Sequence, residues 1–156
     1  GWRVGYAAGP TNVINAMNKV QSQNVSSTAS ISMAASVEAL TGDQSFITSH
    51  NESFLRRRDL VVKHLNETPG LSCRVPEGAF YVFASCKGVL GKKTESGKII
   101  EADGDFMDYL LEEVGVAGVQ GSAFGLDGFF RISYATSDSI LEDACQRIKL
   151  ACSKLS

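Results

Sequence analysis

The stretch Phe129-Phe130-Arg131-Ile132-Ser133-Tyr134-Ala135-Thr136-Ser137 reads as a strand running into the start of a helix, with one cation among apolar neighbours. Successive strand side chains point to opposite faces, so Arg131 shares a face with Phe129 and Ser133, while Phe130, Ile132 and Tyr134 share the other. An arginine in such company needs an anionic partner, because an unpaired charge in a poor solvent is costly. Its planar fork of donors suits a carboxylate gripped at two points. That carboxylate belongs either to an Asp or Glu of the chain, which makes Arg131 a structural cation, or to a bound molecule. The strand alone leaves both readings open.

Working outward, the following helix carries an apolar stripe at Leu141, Ala144, Cys145, Ile148, Cys152 and Leu155, with a capping-box pattern at Ser139 and Glu142. Upstream, residues 121–128 read as a glycine-bearing loop and 116–120 as a strand. Phe106, Tyr109, Leu110 and Val114 fall at helical spacing. Residues 87–103 are rich in glycine and lysine and read as a surface insertion, mobile or lightly structured. Two apolar runs, 71–75 and 79–85, flank Pro76-Glu77-Gly78 and suggest a hairpin. Before them a long helix is expected from Asp43 to Leu65, with Ile47, Phe54 and Val61 on its apolar line. Arg56, Arg57 and Arg58 decorate its other faces. Acidic residues are interleaved with that basic cluster, so it reads as a solvated face with local ion pairs rather than a nucleic-acid surface.

The chain opens Gly1-Trp2-Arg3-Val4-Gly5-Tyr6-Ala7-Ala8-Gly9-Pro10, strand-like until Gly9-Pro10 ends it. Thr11 can cap a helix bearing Val13, Ile14, Met17 and Val20. The polar run 21–28 reads as a loop or helix junction, and a second helix follows over about 30–40, ended by Gly42 as a C-cap glycine. A strand from Gly1 with no preceding partner leads us to expect a piece of a longer protein. The whole succession predicts an α+β fold with helices on one side of a mainly antiparallel sheet.

Composition bounds the function. The 156 residues are 44% hydrophobic and 21% charged, with a formal net charge of -2, which makes no electrostatic case for nucleic acid or an anionic membrane. No apolar run approaches the roughly 20 residues that span a bilayer. Cys73, Cys86, Cys145 and Cys152 form no CxxC pair and have no histidine cluster nearby. They read as free core thiols of a cytoplasmic protein, not as a zinc site.

Five blocks occur here in one order: the opening Gly1–Pro10 run, Arg56-Arg57-Arg58-Asp59, Pro76-Glu77-Gly78-Ala79-Phe80-Tyr81, Val119-Gln120-Gly121-Ser122-Ala123-Phe124-Gly125, and the Arg131–Ser137 run. Together they closely resemble the fold-type I, class I aminotransferases, pyridoxal 5'-phosphate enzymes, with the aspartate aminotransferase group the nearest likeness. The resemblance implies that residues 1–10 are the last strand of a large cofactor domain, 11–42 an interdomain helical connector, and 43–156 the C-terminal small domain. It implies amino-acid and 2-oxo-acid substrates and a homodimer at full length. Arg3 matches the arginine that pairs with the cofactor phosphate, which suits a dianion wanting a two-point donor. Read as a bare residue, Arg3 is a surface cation beside Trp2 or Tyr6. Arg131 matches the arginine that binds the substrate α-carboxylate. Phe80 lies near the substrate end in the family, and equally reads as a core aromatic.

The same resemblance places the Schiff-base lysine upstream of Gly1, together with the acid that keeps the pyridine nitrogen protonated. None of Lys19, Lys63, Lys87, Lys92, Lys93, Lys98, Lys149 or Lys154 stands in a matching context, so no catalytic residue is assigned and the chain is expected to be inactive alone. One aspartate-specific branch reads the distal carboxylate with a connector arginine, and Val20-Gln21-Ser22-Gln23-Asn24 offers none. Aspartate is therefore favoured by overall likeness. Prephenate or aromatic transaminases, a pyridoxal-phosphate lyase or synthase, and a non-catalytic α+β binding module remain as alternatives.

Overall fold

In the computed structural model, residues 2–156 are described, and they fall into two compact units, Gly1–Ile47 and Thr48–Ser156. Gly1, where the expected first strand begins, lies outside the described residues. In the first unit, residues 2–9 join no sheet. The strand expected over 2–8 is therefore not formed among the described residues. A strand exists only as a ladder with a neighbour, and no neighbour pairs here.

Helix α1 (Thr11–Asn24) starts after Pro10, whose φ of -55° is already helical and whose carbonyl accepts from the N–H groups of Val13 and Ile14 at 3.0 and 3.1 Å. Thr11 is thus the first helical residue and not its cap. The helix also runs through Gln21–Asn24, where the sequence suggests a junction. Glutamine is a good helix former, and this helix buries no residue that would demand an apolar period. Helix α2 (Ser30–Thr41) stops at Gly42, whose N–H donates to the Glu38 carbonyl at 2.8 Å. Its φ is -75°, so the glycine is not a left-handed cap. Space explains it instead, since a Cβ there would meet the Glu38 carbonyl oxygen at 2.7 Å. Asp43 does not open the next helix. Its carboxylate accepts from the Ser45 hydroxyl at 2.7 Å and the Ser45 N–H at 2.9 Å, bonds that hold its pKa below the usual value.

The second unit is built on a three-stranded antiparallel sheet in the order β1 (Tyr81–Ser85), β3 (Phe129–Ser133), β2 (Val119–Gln120). Val82, Ala84 and Phe130 are fully buried on one face, under side chains of α3 (Phe46–Asn66), α4 (Asp103–Val114) and α5 (Asp138–Ser153). Phe106 of α4 meets Phe130 edge-on at 5.5 Å, and Tyr109 ties α4 to α5 through its hydroxyl on the Ala151 carbonyl at 3.0 Å. The expected α+β arrangement, with helices on one side of an antiparallel sheet, is the one observed. The expected stripe of α5 is buried, with Ala144 packed at its margin. Its cap is Ser137, whose hydroxyl accepts from Ile140 N–H, and not Ser139.

Two other expectations are corrected. Residues 71–75 form no hairpin with β1, because Ser72 makes a lone bridge to Ser85 and the partner of β1 is β3. Residues 87–103 are not a loose insertion. Val89 is 0% and Ile100 1% exposed, Lys93 bridges Ile99, and Lys93 and Ser156 exchange two backbone hydrogen bonds of 2.8 and 3.1 Å. All four cysteines are buried and free. Burial pushes the Cys73, Cys86 and Cys145 thiols up to about 11 and Cys152 to about 12, so at neutral pH they are protonated core side chains. No group of metal-binding side chains occurs among the described residues, and no described helix is long and apolar enough to cross a membrane.

The basic cluster of α3 makes one local and two long-range ion pairs among the described residues. Arg58 pairs with Asp59, but Arg56 and Arg57 each reach one oxygen of Asp138 at 2.8 Å. Asp138 opens α5, where a carboxylate also complements the helix dipole. The hydrogen bonds from Arg56 and Arg57 depress its pKa. A depressed acid stabilises the fold above the unfolded Asp value of about 3.9, and that contribution is lost as pH falls through the lower folded value. Asp138→Asn is thus expected to lower Tm at pH 7 in a salt-sensitive way, with the gap to the native protein closing in strong acid. Melts across pH 7 to 2 test this, and a gap constant with pH would refute it.

Candidate functional site

The face of the sheet opposite the core is formed by Tyr81, Phe83 and Ser85 of β1, Val119 of β2, and Phe129, Arg131 and Ser133 of β3. Arg131 sits in the central strand, with Phe83 and Val119 directly opposite it on either side. The alternation read from the sequence therefore holds, with Phe130 and Tyr134 buried behind and Arg131 half-buried in front. Its guanidinium lies between two rings: the central carbon is 4.4 Å from the Tyr81 centroid and 4.6 Å from that of Phe124.

Each ring attracts the cation through its quadrupole, worth about 0.5–2 kcal/mol depending on hydration. Among the described residues no acidic side chain pairs with Arg131. The internal ion pair that the sequence leaves open is absent there. A planar cation held over two rings, with no acidic partner among the described residues, can take a carboxylate at two points.

Aromatic contacts continue along this face. Phe83 stacks on Phe129 at 5.6 Å and meets Phe124 edge-on at 5.9 Å, and Lys87 Nζ lies 5.1 Å from the Phe129 centroid. On the other side, Phe80 packs on Tyr81 with centroids 4.4 Å apart. Phe80 is 41% exposed, which removes the core reading of this side chain. It is presented by an uncommon backbone, since Ala79 has φ of 61° in the left-handed region. Tyr134 holds that backbone from both sides, its hydroxyl donating to the Ala79 carbonyl at 3.0 Å and its N–H to the Phe80 carbonyl at 2.9 Å.

Phe124 comes from the short 3-10 turn Gly121–Phe124. Gly121 is buried against β3, and a Cβ there would lie 2.8 Å from the Phe129 carbonyl oxygen and run into the Leu126 carbonyl. The sequence reading names the loop but not the two rings on Arg131. The parity of Tyr81 against core-facing Val82 and Ala84 was a signal for one of them. Nothing local marks Phe124, because a turn has no side-chain period.

Arg3 lies in the first unit, in the extended segment, exposed between the also exposed Trp2 and Tyr6, which are 80% and 82% accessible. No acidic side chain pairs with it among the described residues.

A family model for "Aminotransferase class I and II" matches residues 1–148. The chain belongs to the class I and II aminotransferases. This aminotransferase chain is 62% identical, over all 156 residues, to an aspartate aminotransferase of Rhizobium meliloti (strain 1021). It is 57% identical over 152 residues to a probable aspartate/prephenate aminotransferase of Rhizobium leguminosarum bv. phaseoli. Among solved structures, it matches the Rhizobium meliloti aspartate aminotransferase with a TM-score of 0.91 at 61% identity, over 99% of this chain and 39% of that one. A tetra mutant of the Thermus thermophilus aspartate aminotransferase matches with a TM-score of 0.82 at 36% identity, over 96% of this chain and 39% of that one. The aminotransferase chain described here spans 38% of the length of both Rhizobium relatives, covering 100% and 97% of itself in the two matches.

Proposed function

We propose that this chain is the C-terminal portion of a pyridoxal 5'-phosphate-dependent aminotransferase that moves an amino group between an amino acid, aspartate favoured, and a 2-oxo acid. The observation that carries this reading is Arg131, flanked by Tyr81 and Phe124 and unpaired with any acid of the described residues. Its donors take the α-carboxylate common to every amino-acid and 2-oxo-acid substrate. The two rings take part of the guanidinium's surroundings away from water, which strengthens its attraction for a bound carboxylate. Arg3 holds the cofactor phosphate. When bound, pyridoxal phosphate supplies the electron sink that makes amino-group transfer possible, and the lysine that anchors it belongs to the part of the enzyme before this chain. Residues 1–10 then belong to the large cofactor domain, 11–42 to the connector and 43–156 to the small domain. The full-length enzyme is a cytoplasmic homodimer.

A second acceptor, prephenate, is favoured by the relatives named aspartate/prephenate aminotransferases at 57% and 53% identity. The exposed end of α1 over Gln21–Asn24 carries no arginine for a distal carboxylate. The full-length protein loaded with cofactor should be tested on aspartate, aromatic amino acids and alanine against 2-oxoglutarate and prephenate. The highest kcat/KM is expected with aspartate. Amino transfer from none of these donors would refute the reading.

Arg3→Ala in that enzyme should weaken retention of pyridoxal phosphate by about 1.5–3 kcal/mol, the worth of a charge-assisted hydrogen bond. Arg3→Lys should recover only part, since a point charge replaces a fork. Equilibrium dialysis of the cofactor measures this, and an unchanged Kd in Arg3→Ala would show that the phosphate is held elsewhere.

A further inference from the structure

Asp103 is a buried carboxylate that the proposed chemistry does not use. It is 3% exposed, and among the described residues no lysine, arginine or histidine pairs with it. Burying such a charge is costly unless strong donors meet it. It stands at the first residue of α4, where helix N–H groups favour an anion. Capping that helix is not its task. No side-chain cap bond is made at this helix start, and Asp105 accepts the N–H groups of Glu101 and Ala102 just before it, both at 3.0 Å. The Asp103 Oδ2 instead accepts the backbone N–H of Ser122, 2.7 Å away and 19 residues along the chain.

Ser122 belongs to the turn that carries Phe124, two positions on. Phe124 is 50% exposed, so its own burial does not hold it over Arg131. Beyond its edge-on contact with Phe83 at 5.9 Å, its place depends on the turn. The turn closes on itself through Gly125 N–H to the Ser122 carbonyl at 3.0 Å and Leu126 N–H to the Gly121 carbonyl at 3.1 Å, and leans on β3 at Gly121. Those contacts shape the turn and seat its two ends. The Asp103 bond ties its middle to the helix layer behind, and it is the short, charge-assisted one.

We propose that Asp103 is a positioning residue for substrate-carboxylate binding: by holding the Ser122 N–H it fixes the turn that keeps Phe124 against the Arg131 guanidinium. The inference rests on the reading of Arg131 as the carboxylate anchor. With the tether gone, Phe124 drifts from its place 4.6 Å from the guanidinium, and water takes its position. Affinity for carboxylates falls while the residues that move protons are untouched.

The test uses the full-length holoenzyme, with calorimetric binding of succinate, a carboxylate that cannot transaminate, beside KM, kcat and Tm. Asp103→Ala should raise the succinate Kd and the amino-acid KM about tenfold with kcat within about twofold, the split expected when binding geometry and not chemistry is lost. Asp103→Asn keeps an acceptor oxygen for Ser122 and should raise Kd only about two- to threefold. Phe124→Leu removes the ring and should itself raise Kd about tenfold, and adding either Asp103 substitution to it should change Kd less than about 1.5-fold, because residues acting through one another do not add.

Should Asp103→Ala fail to fold, the Asp103→Asn and Phe124→Leu pair decides by the same non-additivity. An unchanged Kd in Asp103→Ala, or an Asp103 effect of equal size with and without Phe124, overturns the proposal. Arg131→Lys is measured in parallel. If it too leaves Kd unchanged, the anchor reading has failed and the tether with it, whereas a raised Kd there with a silent Asp103 sinks the tether alone.

Discussion

Replacing Arg131 by alanine in the full-length enzyme is expected to cost about 2–5 kcal/mol of transition-state binding, a fall in kcat/KM of roughly thirty-fold to several thousand-fold. The loss should be common to every amino-acid and 2-oxo-acid substrate, because the α-carboxylate is what they share. Arg131→Lys keeps the charge but not the paired donors or the flat surface that Tyr81 and Phe124 contact at 4.4 and 4.6 Å. It should raise KM in both half-reactions and leave cofactor binding nearly intact. A structural cation would behave otherwise, losing stability first and activity only on unfolding. Arg131 has no acidic partner to lose among the described residues, so Tm should move little in Arg131→Lys. Early melting with a normal KM would return Arg131 to the structural reading.

Gly121→Ala is expected to damage both the stability of the second unit and its carboxylate site. The added Cβ would stand 2.8 Å from both the Phe129 Cβ and the Phe129 carbonyl oxygen and against the Leu126 carbonyl. Backbone atoms cannot rotate away as a side-chain end can, so the turn must lift from β3. Overpacking of this kind costs about 1–3 kcal/mol, and here the displaced turn takes Phe124 with it. The expected result is a lower Tm together with a KM raised by about tenfold or more for amino acids, since the strain and the loss of the ring share one cause. The contrast is Gly125→Ala in the same loop, where nothing lies within 4 Å of an added Cβ and the cost is the left-handed φ of 78°. That change should lower Tm with a much smaller effect on KM. Equal KM effects from the two would show that lifting the turn off β3 does not govern Phe124.

Much of this site was present in the linear sequence because strand chemistry has a period of two. Phe130 and Tyr134 are buried and Arg131 faces away from the core, as alternation requires, and the α5 stripe followed from spacing in the same way. The ordered blocks around Arg3, Phe80, Phe124 and Arg131 carried the family. Local signals misplaced the element ends: Pro10 and Ser137 flank helices that Thr11 and Ser139 seemed to cap, and exposed polar residues continue α1. What the sequence could not contain was pairing at a distance. Whether Arg131 met an acid or a ring depended on which turn came to lie over it. That turn is placed by Gly121 on β3 and by Asp103, 19 residues before Ser122. Arg56 and Arg57 likewise find Asp138 some eighty positions away. Periodicity records which face a residue takes, because that depends on its immediate neighbours. Only the packed chain brings a carboxylate, a turn and a ring to one cation.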